Sequence, residues 1–302
     1  MNATPKGLYE KFTVTRNDGR SAAGEKHNGC QYFVLDLDHD PHALPALAAY
    51  AQSCAADYPE LAADLRAKVR KAAGIINDFV TVPETTLPNG LVVPSFQVSQ
   101  FHISKDDDGL PVIDAEREPW VEVDFDDAKI ACDNMGGSLI RETQALALAW
   151  DIFNVGENWS SGKVGEGTLL QGLRDDDDLE EAPTGMYVHP DHTQRRAFRL
   201  SNGGLVYDVA GTVFTWVLDD VQGDEHGLIA RPFAEDSPSI TTAPPSAKHQ
   251  GIGWQPAAGT DWSGHALVRG GYWYSGADAG VFGLGSDWPG YRYDSVGFRC
   301  TK

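Results

Sequence analysis

Basic residues are scarce in this sequence. Its 24 Lys and Arg stand against 44 Asp and Glu, a formal charge of -20 over 302 residues. Nucleic acid and anionic membrane surfaces are bound through clustered cations, so this balance argues against both as partners. Long apolar runs are missing as well. Nowhere do the ~18 consecutive apolar residues of a membrane span occur, and Met1-Asn2-Ala3-Thr4-Pro5-Lys6 lacks the apolar core of a secretory leader. The expectation is a chain without signal peptide or membrane insertion, cytoplasmic at synthesis, with virion or surface association left open. Cysteine is sparse: Cys30, Cys54, Cys132 and Cys300 are widely spaced and fit no zinc or thioredoxin pattern, so buried thiols are the simplest reading. The nine His are scattered. The nearest pairs, His39 with His42 and His189 with His192, sit in polar stretches that suit loop roles better than metal binding. No nucleotide loop, nucleophile elbow or protease zinc motif is present. Neither a cofactor nor a metal is expected.

What is present is glycine, tryptophan and short acidic runs. Thirty-two Gly, 17 Pro and eight Trp suggest an ordered but loop-rich fold. The runs Asp106–Asp108, Asp124–Asp127 and Asp175–Asp178 read as solvated loops, with calcium sites the less common alternative.

Residues 1–73 read as a small β-then-α module. Phe12-Thr13-Val14-Thr15-Arg16 alternates, Asn17-Asp18-Gly19 signals a turn, and Tyr32–Leu37 reads as a second strand. Leu44, Leu47, Ala48, Ala51 and Cys54 then share a helical face, as do Leu61, Leu65 and Val69 after Pro59. Residues 74–94 read as a linker or crossing strand. From there to residue 302 the texture is short strands and long loops. Two helices break it, one near 126–135, stopped by Gly136-Gly137, and one near 142–153, with no further helix after residue 155. That order points to an α+β domain.

Several blocks carry a specific likeness. They are Pro119–Ala128, Met135–Thr143, Tyr207–Trp216, Arg269-Gly270-Gly271-Tyr272-Trp273 and Val296-Gly297-Phe298-Arg299-Cys300. In this order they resemble the formylglycine-generating-enzyme (sulfatase-modifying factor) family, a C-type lectin-like fold. Residues 266–300 further resemble the variable region of proteins diversified by diversity-generating retroelements, through Arg269–Trp273, Ala279–Phe282 and Gly297–Arg299. Gln171–Arg174, Asp219–Asp224 and Gly253–Pro256 look like that group too. The resemblance implies a ligand-binding face and places Cys132, on the first helix, near Cys300, on the last strand. Whether these two are oxidised stays open at this point.

Retroelement mutagenesis acts on adenines, so Asn codons diverge to Tyr, Ser, Asp, Gly, Arg or Leu. The expected ligand-contacting residues are Tyr272, Tyr274, Ser275, Asp278, Leu284, Gly285, Ser286, Asp287, Trp288, Tyr291, Arg292, Tyr293, Asp294 and Ser295. Trp288 is not reachable from an Asn codon, and is either fixed or of other origin. Tyr gives a large contact with few rotors to freeze, while Ser, Gly and Asp hydrogen-bond adaptably. Arg292, the cation among them, is expected to meet an anionic group or an aromatic ring. Trp273, between two exposed Tyr, is expected to point inward by strand alternation, with Phe282, Phe298, Cys132 and Cys300 also structural.

Enzyme readings rank lower. Residues 270–299 lack the cysteines that formylglycine-generating enzymes use, so no catalytic residue is assigned. Thr212 and Thr215 stand where that family usually shows Asn and Glu, which weakens a calcium site. No Glu-Pro-Asn or Gln-Pro-Asp tripeptide supports sugar binding through calcium. The expected partner is a variable protein or cell-surface ligand, with residues 1–73 serving self-association or docking to an assembly. The second reading is a fixed-sequence or degenerate enzyme-like domain, or a structural lectin, which would show a deep polar pocket.

Overall fold

The computed structural model describes residues 12–40, 42–174, 189, 191, 193–244 and 250–302. The run Asp175–Asp178 and His192 lie outside the described residues. The chain divides into two units, Met1–Ala72 and Ala73–Lys302.

In the first unit, α1 (Ala43–Cys54) and α2 (Pro59–Ala72) form as the apolar spacing predicts, with Pro59 at the first helical position. They pack on each other through Ala51, Cys54, Ala62 and Val69. The strands expected before them are not formed. Residues 12–40 carry turns and irregular chain, and Tyr32, Phe33 and Val34 are exposed. Alternation alone does not make a stable hairpin, which in water needs a third strand or packing against a helix. Cys30 is exposed rather than buried, whereas Cys54 is buried.

The second unit is mixed α+β. Its elements are β1 (Phe79–Val82), β2 (Thr85–Thr86), β3 (Val92–Val93), β4 (Phe96–Ser99), β5 (Ser104–Lys105), β6 (Pro111–Val112), α3 (Phe125–Asn134), β7 (Ser138–Leu139) and α4 (Glu142–Phe153). After these come β8 (Ala197–Arg199), β9 (Leu205–Tyr207), β10 (Phe214–Val217), α5 (Pro238–Thr241), β11 (Ala266–Arg269), β12 (Leu284–Asp287), β13 (Val296–Phe298) and β14 (Cys300–Thr301). Residues 74–94 are thus no linker: three strands lie in this stretch, with Val82 and Leu87 buried. The short α5 and the 3-10 turns Gly156–Asn158 and Gly276–Asp278 correct the expectation of no helix after residue 155. One turn of helix leaves no periodic signal to read.

Two four-stranded sheets organise the unit. One is the antiparallel order β1-β4-β14-β7, in which the last strand of the chain sits beside an early one, and Gln97 and Lys302 exchange both backbone hydrogen bonds at 2.9 Å. The other is β12-β11-β10-β13, antiparallel except for the parallel pair β10–β13.

Helix α3 starts where Asp124 accepts from the Asp127 amide at 2.8 Å, with acidic residues in its first turn complementing the dipole. It stops at Gly136, φ +72°. At Gly137 a Cβ would come within 2.4 Å of the Thr301 carbonyl, so only glycine lets β14 approach. Cys132 and Cys300 form a disulfide from α3 to β14, Cα–Cα 5.2 Å, which answers the question the sequence left open. Burial is continuous around α4 and the first sheet (Leu146, Ile152, Val82, Phe282). A second cluster joins α3 to Trp216, Val268 and Phe298.

Candidate functional site: the loops after β11 and β12

Beneath the loops, buried charges hold the strands in place. Arg269, the last residue of β11, donates from Nε to Glu142 Oε2 at 2.8 Å and makes a second bond to Glu142 Oε1. Its Nη1 also donates to the Phe282 carbonyl at 2.9 Å. Arg299, fully buried between β13 and β14, donates to the Ser99 carbonyl at 2.9 Å and to the Tyr207 carbonyl. Burial pushes its pKa down to about 10. Next to it, His102 is buried, its Nε2 2.8 Å from Thr215 Oγ1. Burial first, then the charges of Arg299 and Arg196, hold its imidazole well below the usual range. Arg196 and Asp208 form a second buried bidentate pair, to which Thr212 adds its hydroxyl at 2.9 Å. Thr212 and Thr215 therefore serve internal polar networks.

The chain leaves β11 through two glycines with φ +94° and +93°. A Cβ at Gly270 would lie 2.5 Å from the Val209 carbonyl and one at Gly271 2.8 Å from Ala279 Cα, so both positions need glycine. The β-strand expected to run on to Trp273 ends at Arg269. Trp273 is buried against Val213 all the same, by this turn rather than by strand alternation.

Around this turn the candidate residues come together in a chain of contacts. Tyr272 stacks on Phe214 of β10 at 5.4 Å and lies 6.4 Å from the Tyr274 ring. Ser275 Oγ accepts the Tyr272 amide at 2.9 Å, closing the loop that carries Asp278 at the surface. Residues 279–284 are buried, Phe282 completely. Leu284 belongs with them, 2 % exposed, which corrects its assignment as a ligand-contacting residue. It packs in the α4 cluster, where a buried Leu is held by apolar contact and cannot meet a ligand.

Strand β12 then brings the surface back. Gly285 is half-buried against Val268, and Ser286 Oγ lies 3.2 Å from His265 Nδ1. Asp287 accepts the Trp288 amide at 2.7 Å, and the Trp288 ring lies 4.2 Å from the His265 ring. Tyr291 and Tyr293 meet edge to face at 5.5 Å. Tyr274, Trp288, Tyr291 and Tyr293 are 55, 52, 48 and 41 % exposed, large values for aromatic rings in a folded domain. Asp294 is exposed beside them, and Ser295 is half-buried, its carbonyl accepting the Phe214 amide at 2.8 Å.

Arg292 is not held ready for an anionic ligand. Its Nη2 reaches Asp124 at 2.6 Å and Asp127 at 2.5 Å, at the start of α3, and these carboxylates raise its pKa, Asp127 first. The Pro289 and Tyr293 carbonyls accept the Phe125 and Glu122 amides at 2.9 and 2.8 Å, so the 288–295 loop is docked on the start of that helix. Sequence reasoning missed Phe214, His265 and this acidic seat. Pairing of β10, β11 and β12 brings Phe214 and His265 to the loops, and docking of the 288–295 loop on the start of α3 brings the two aspartates.

Among the described residues no group of three or more His, Cys, Asp or Glu could hold a metal ion, and no helix is long and apolar enough to cross a membrane. The second reading anticipated a deep polar pocket. A cleft of about 470 Å³ beside Lys105, Arg117 and Trp120 is broadly open. Its cations are engaged, Lys105 over the Trp120 ring at 4.2 Å and Arg117 with Asp107 at 2.9 Å.

Comparison with protein-family models gives no match, and comparison with curated proteins gives none. Among solved structures the chain is similar to PvdO from Pseudomonas aeruginosa, at 14 % identity and a TM-score of 0.35, over 74 % of this chain and 91 % of that one. It is similar to variable protein 1 of Treponema denticola, at 15 % identity and a TM-score of 0.42, over 74 % of this chain and 93 % of the other. The U1 variant of the Major Tropism Determinant matches at 13 % identity and a TM-score of 0.37, over 75 % of this chain, which spans 55 % of that protein. Identity and superposition are both low in all three.

Proposed function

We propose that residues 73–302 form a C-type lectin-like binding module without catalytic activity. Its loops 272–278 and 285–295 are the ligand face, and residues 266–300 are diversified by a retroelement. The observation that carries this reading is the division of labour inside one short segment. Buried landmarks (Arg269, Trp273, Ala279–Leu284, Val296–Phe298) alternate with exposed or half-exposed Tyr, Ser, Asp and Gly. The exposed set has the composition of an adaptable paratope and is also what adenine mutagenesis of Asn codons yields. Tyr rings in contact with one another supply the large anchors such a face needs. The ligand is a variable protein or a cell-surface group.

The test is to sequence the DNA flanking the gene for a near-copy of the codons for residues 266–300. A copy differing almost only at its adenines, beside a reverse transcriptase gene, is the expected result. Leu284 and Trp273 codons should be unchanged in it. Absence of any copy would overturn diversification and leave a fixed face.

Residues 1–72 are proposed to serve self-association or docking to an assembly such as a virion. Phe33, Tyr50 and Tyr58 of this unit are 75, 56 and 61 % exposed, large rings open for a partner to cover. The full chain should sediment as an oligomer or co-purify with an assembly, and the F33S/Y58S variant should not. A monomeric wild type found free of any assembly would end this proposal.

A further inference from the structure

The loop 250–256 is interlocked with the 278–284 segment. Phe282 N donates to the Ile252 carbonyl at 3.0 Å, Trp254 N to the Asp278 carbonyl at 2.9 Å, and Leu284 N to the Trp254 carbonyl at 2.9 Å. The fit is glycine on glycine. A Cβ on Gly253 would lie 2.6 Å from Gly283 N, and one on Gly280 2.3 Å from Gly253 N. Backbone held this closely cannot slide, so Trp254 is fixed in place at Asp278. Its ring is 41 % exposed and lies 6.3 Å from Trp262, which in turn packs edge-on against buried Phe233 at 5.5 Å. A few residues on, His265 lies beneath Trp288. Both ends of the 254–265 stretch therefore abut residues of the face, and none of it belongs to the segment proposed to vary.

Charge identifies what this wider face would hold. Between residues 279 and 298 two Asp (Asp287 and Asp294) stand against one Arg, and Arg292 is already held by Asp124 and Asp127. Asp261 adds a further exposed carboxylate next to Trp262. Open indole and phenol rings interleaved with carboxylates attract cations twice, through the ring quadrupole and through charge-assisted hydrogen bonds. Resting on the proposed ligand face, we infer that Trp254 is a fixed aromatic anchor of that face and that its occupant is a basic protein surface, met through Lys and Arg side chains. Diversification would then retune shape and hydrogen bonding around a constant attraction for cations.

The probe is a random 12-residue peptide library displayed on phage, panned against the immobilised full chain at physiological salt. The bound pool is expected to be enriched in Lys and Arg by about threefold or more over the input. Trp254→Ala should lower retention of that pool about tenfold, the loss of one contact worth 1.4 kcal/mol. The triple variant D261N/D287N/D294N should lower it as much. The charge-matched control D78N/E84Q/D133N, beside the other four-stranded sheet, should leave it unchanged, which separates a local attraction from the acidity of the whole chain. An enriched pool lost equally in the control overturns the inference, as does a pool without basic enrichment or one that W254A leaves intact. If that same pool is still lost in Y274S/Y291S/Y293S, the ligand face stands and only its extension and cationic partner fall. A pool retained by every variant would also sink the ligand face itself.

Discussion

Two arginines of one segment, Arg269 and Arg292, both bind carboxylates and differ in nearly everything else. Arg269 is buried, held bidentately by Glu142 from α4 and bonded to the Phe282 carbonyl. Arg292 is half-exposed and reaches two aspartates at the rim of α3. The first pair fixes where the strands and the Phe282 turn sit. The second only rests a loop on the framework. A segment can carry both because energetic weight follows burial: removing one partner of a buried pair costs about 3–5 kcal/mol, while a surface pair contributes about 0–1 kcal/mol.

The largest expected effect follows directly. Arg269→Ala leaves Glu142 charged and buried and should lose about 3–5 kcal/mol in urea melts. The double variant R269M/E142L, apolar on both sides, should recover most of that. A single variant that melts like wild type would place the weight of the framework elsewhere.

Next come the apolar and covalent parts of the framework. Leu284→Ala should cost about 2–5 kcal/mol, as in a close-packed core, although its neighbours Gly285 and Ser286 belong to the proposed face. Cys132→Ser removes a disulfide spanning 168 residues and should cost about 2–4 kcal/mol under oxidising conditions. If L284A is silent, Leu284 returns to the candidate variable residues.

Leu284 also shows where sequence reasoning stopped. Codon logic groups Leu with Tyr, Ser and Asp, and nothing local separates a buried Leu from an exposed one. Packing against α4 decides it. What was legible had local chemistry behind it: α3 with its acidic start and glycine stop, α4 with its apolar face, the buried Phe282 and Phe298. Trp273 was rightly placed inside for a different reason, since Gly270-Gly271 turns the chain before alternation can act. His102 was invisible because its surroundings come from Thr215 and Arg299, far along the chain. The strands expected in residues 12–40 failed for the opposite reason: they have the pattern, but among the described residues they pair with no other strand.

A smaller effect separates framework from face by pH. Buried His102 stays neutral, so below the usual pKa of 6.5 the unfolded chain takes up a proton that the folded one does not. Stability is therefore lost as pH falls, by at most about 1.4 kcal/mol per unit from this group. Asp219 acts the other way. Burial raises its carboxyl from 3.8 to about 6, so the folded chain binds the extra proton and gains as pH falls from 6 toward 3.8. His102→Gln should flatten the acid-side loss between pH 6.5 and 5, and Asp219→Asn should steepen it. Face substitutions such as Tyr291→Ser should leave the profile unchanged. Parallel profiles for wild type and H102Q would remove His102 from the account.

The smallest effects belong to the proposed face. Tyr274→Ser and Tyr291→Ser alter exposed rings on loops whose backbones are held by glycines and by the start of α3, so each should change stability by no more than about 0.5 kcal/mol. Arg292→Ala should cost about 0–1 kcal/mol, although Asp124 also caps α3 and keeps that bond without the arginine. A loop that tolerates loss of its only cation this cheaply can accept any residue there, which is what a diversified position requires. Were R292A instead to cost as much as R269A, residues 288–295 would be part of the framework. The ligand face would then shrink to the Tyr272–Asp278 loop and Trp254.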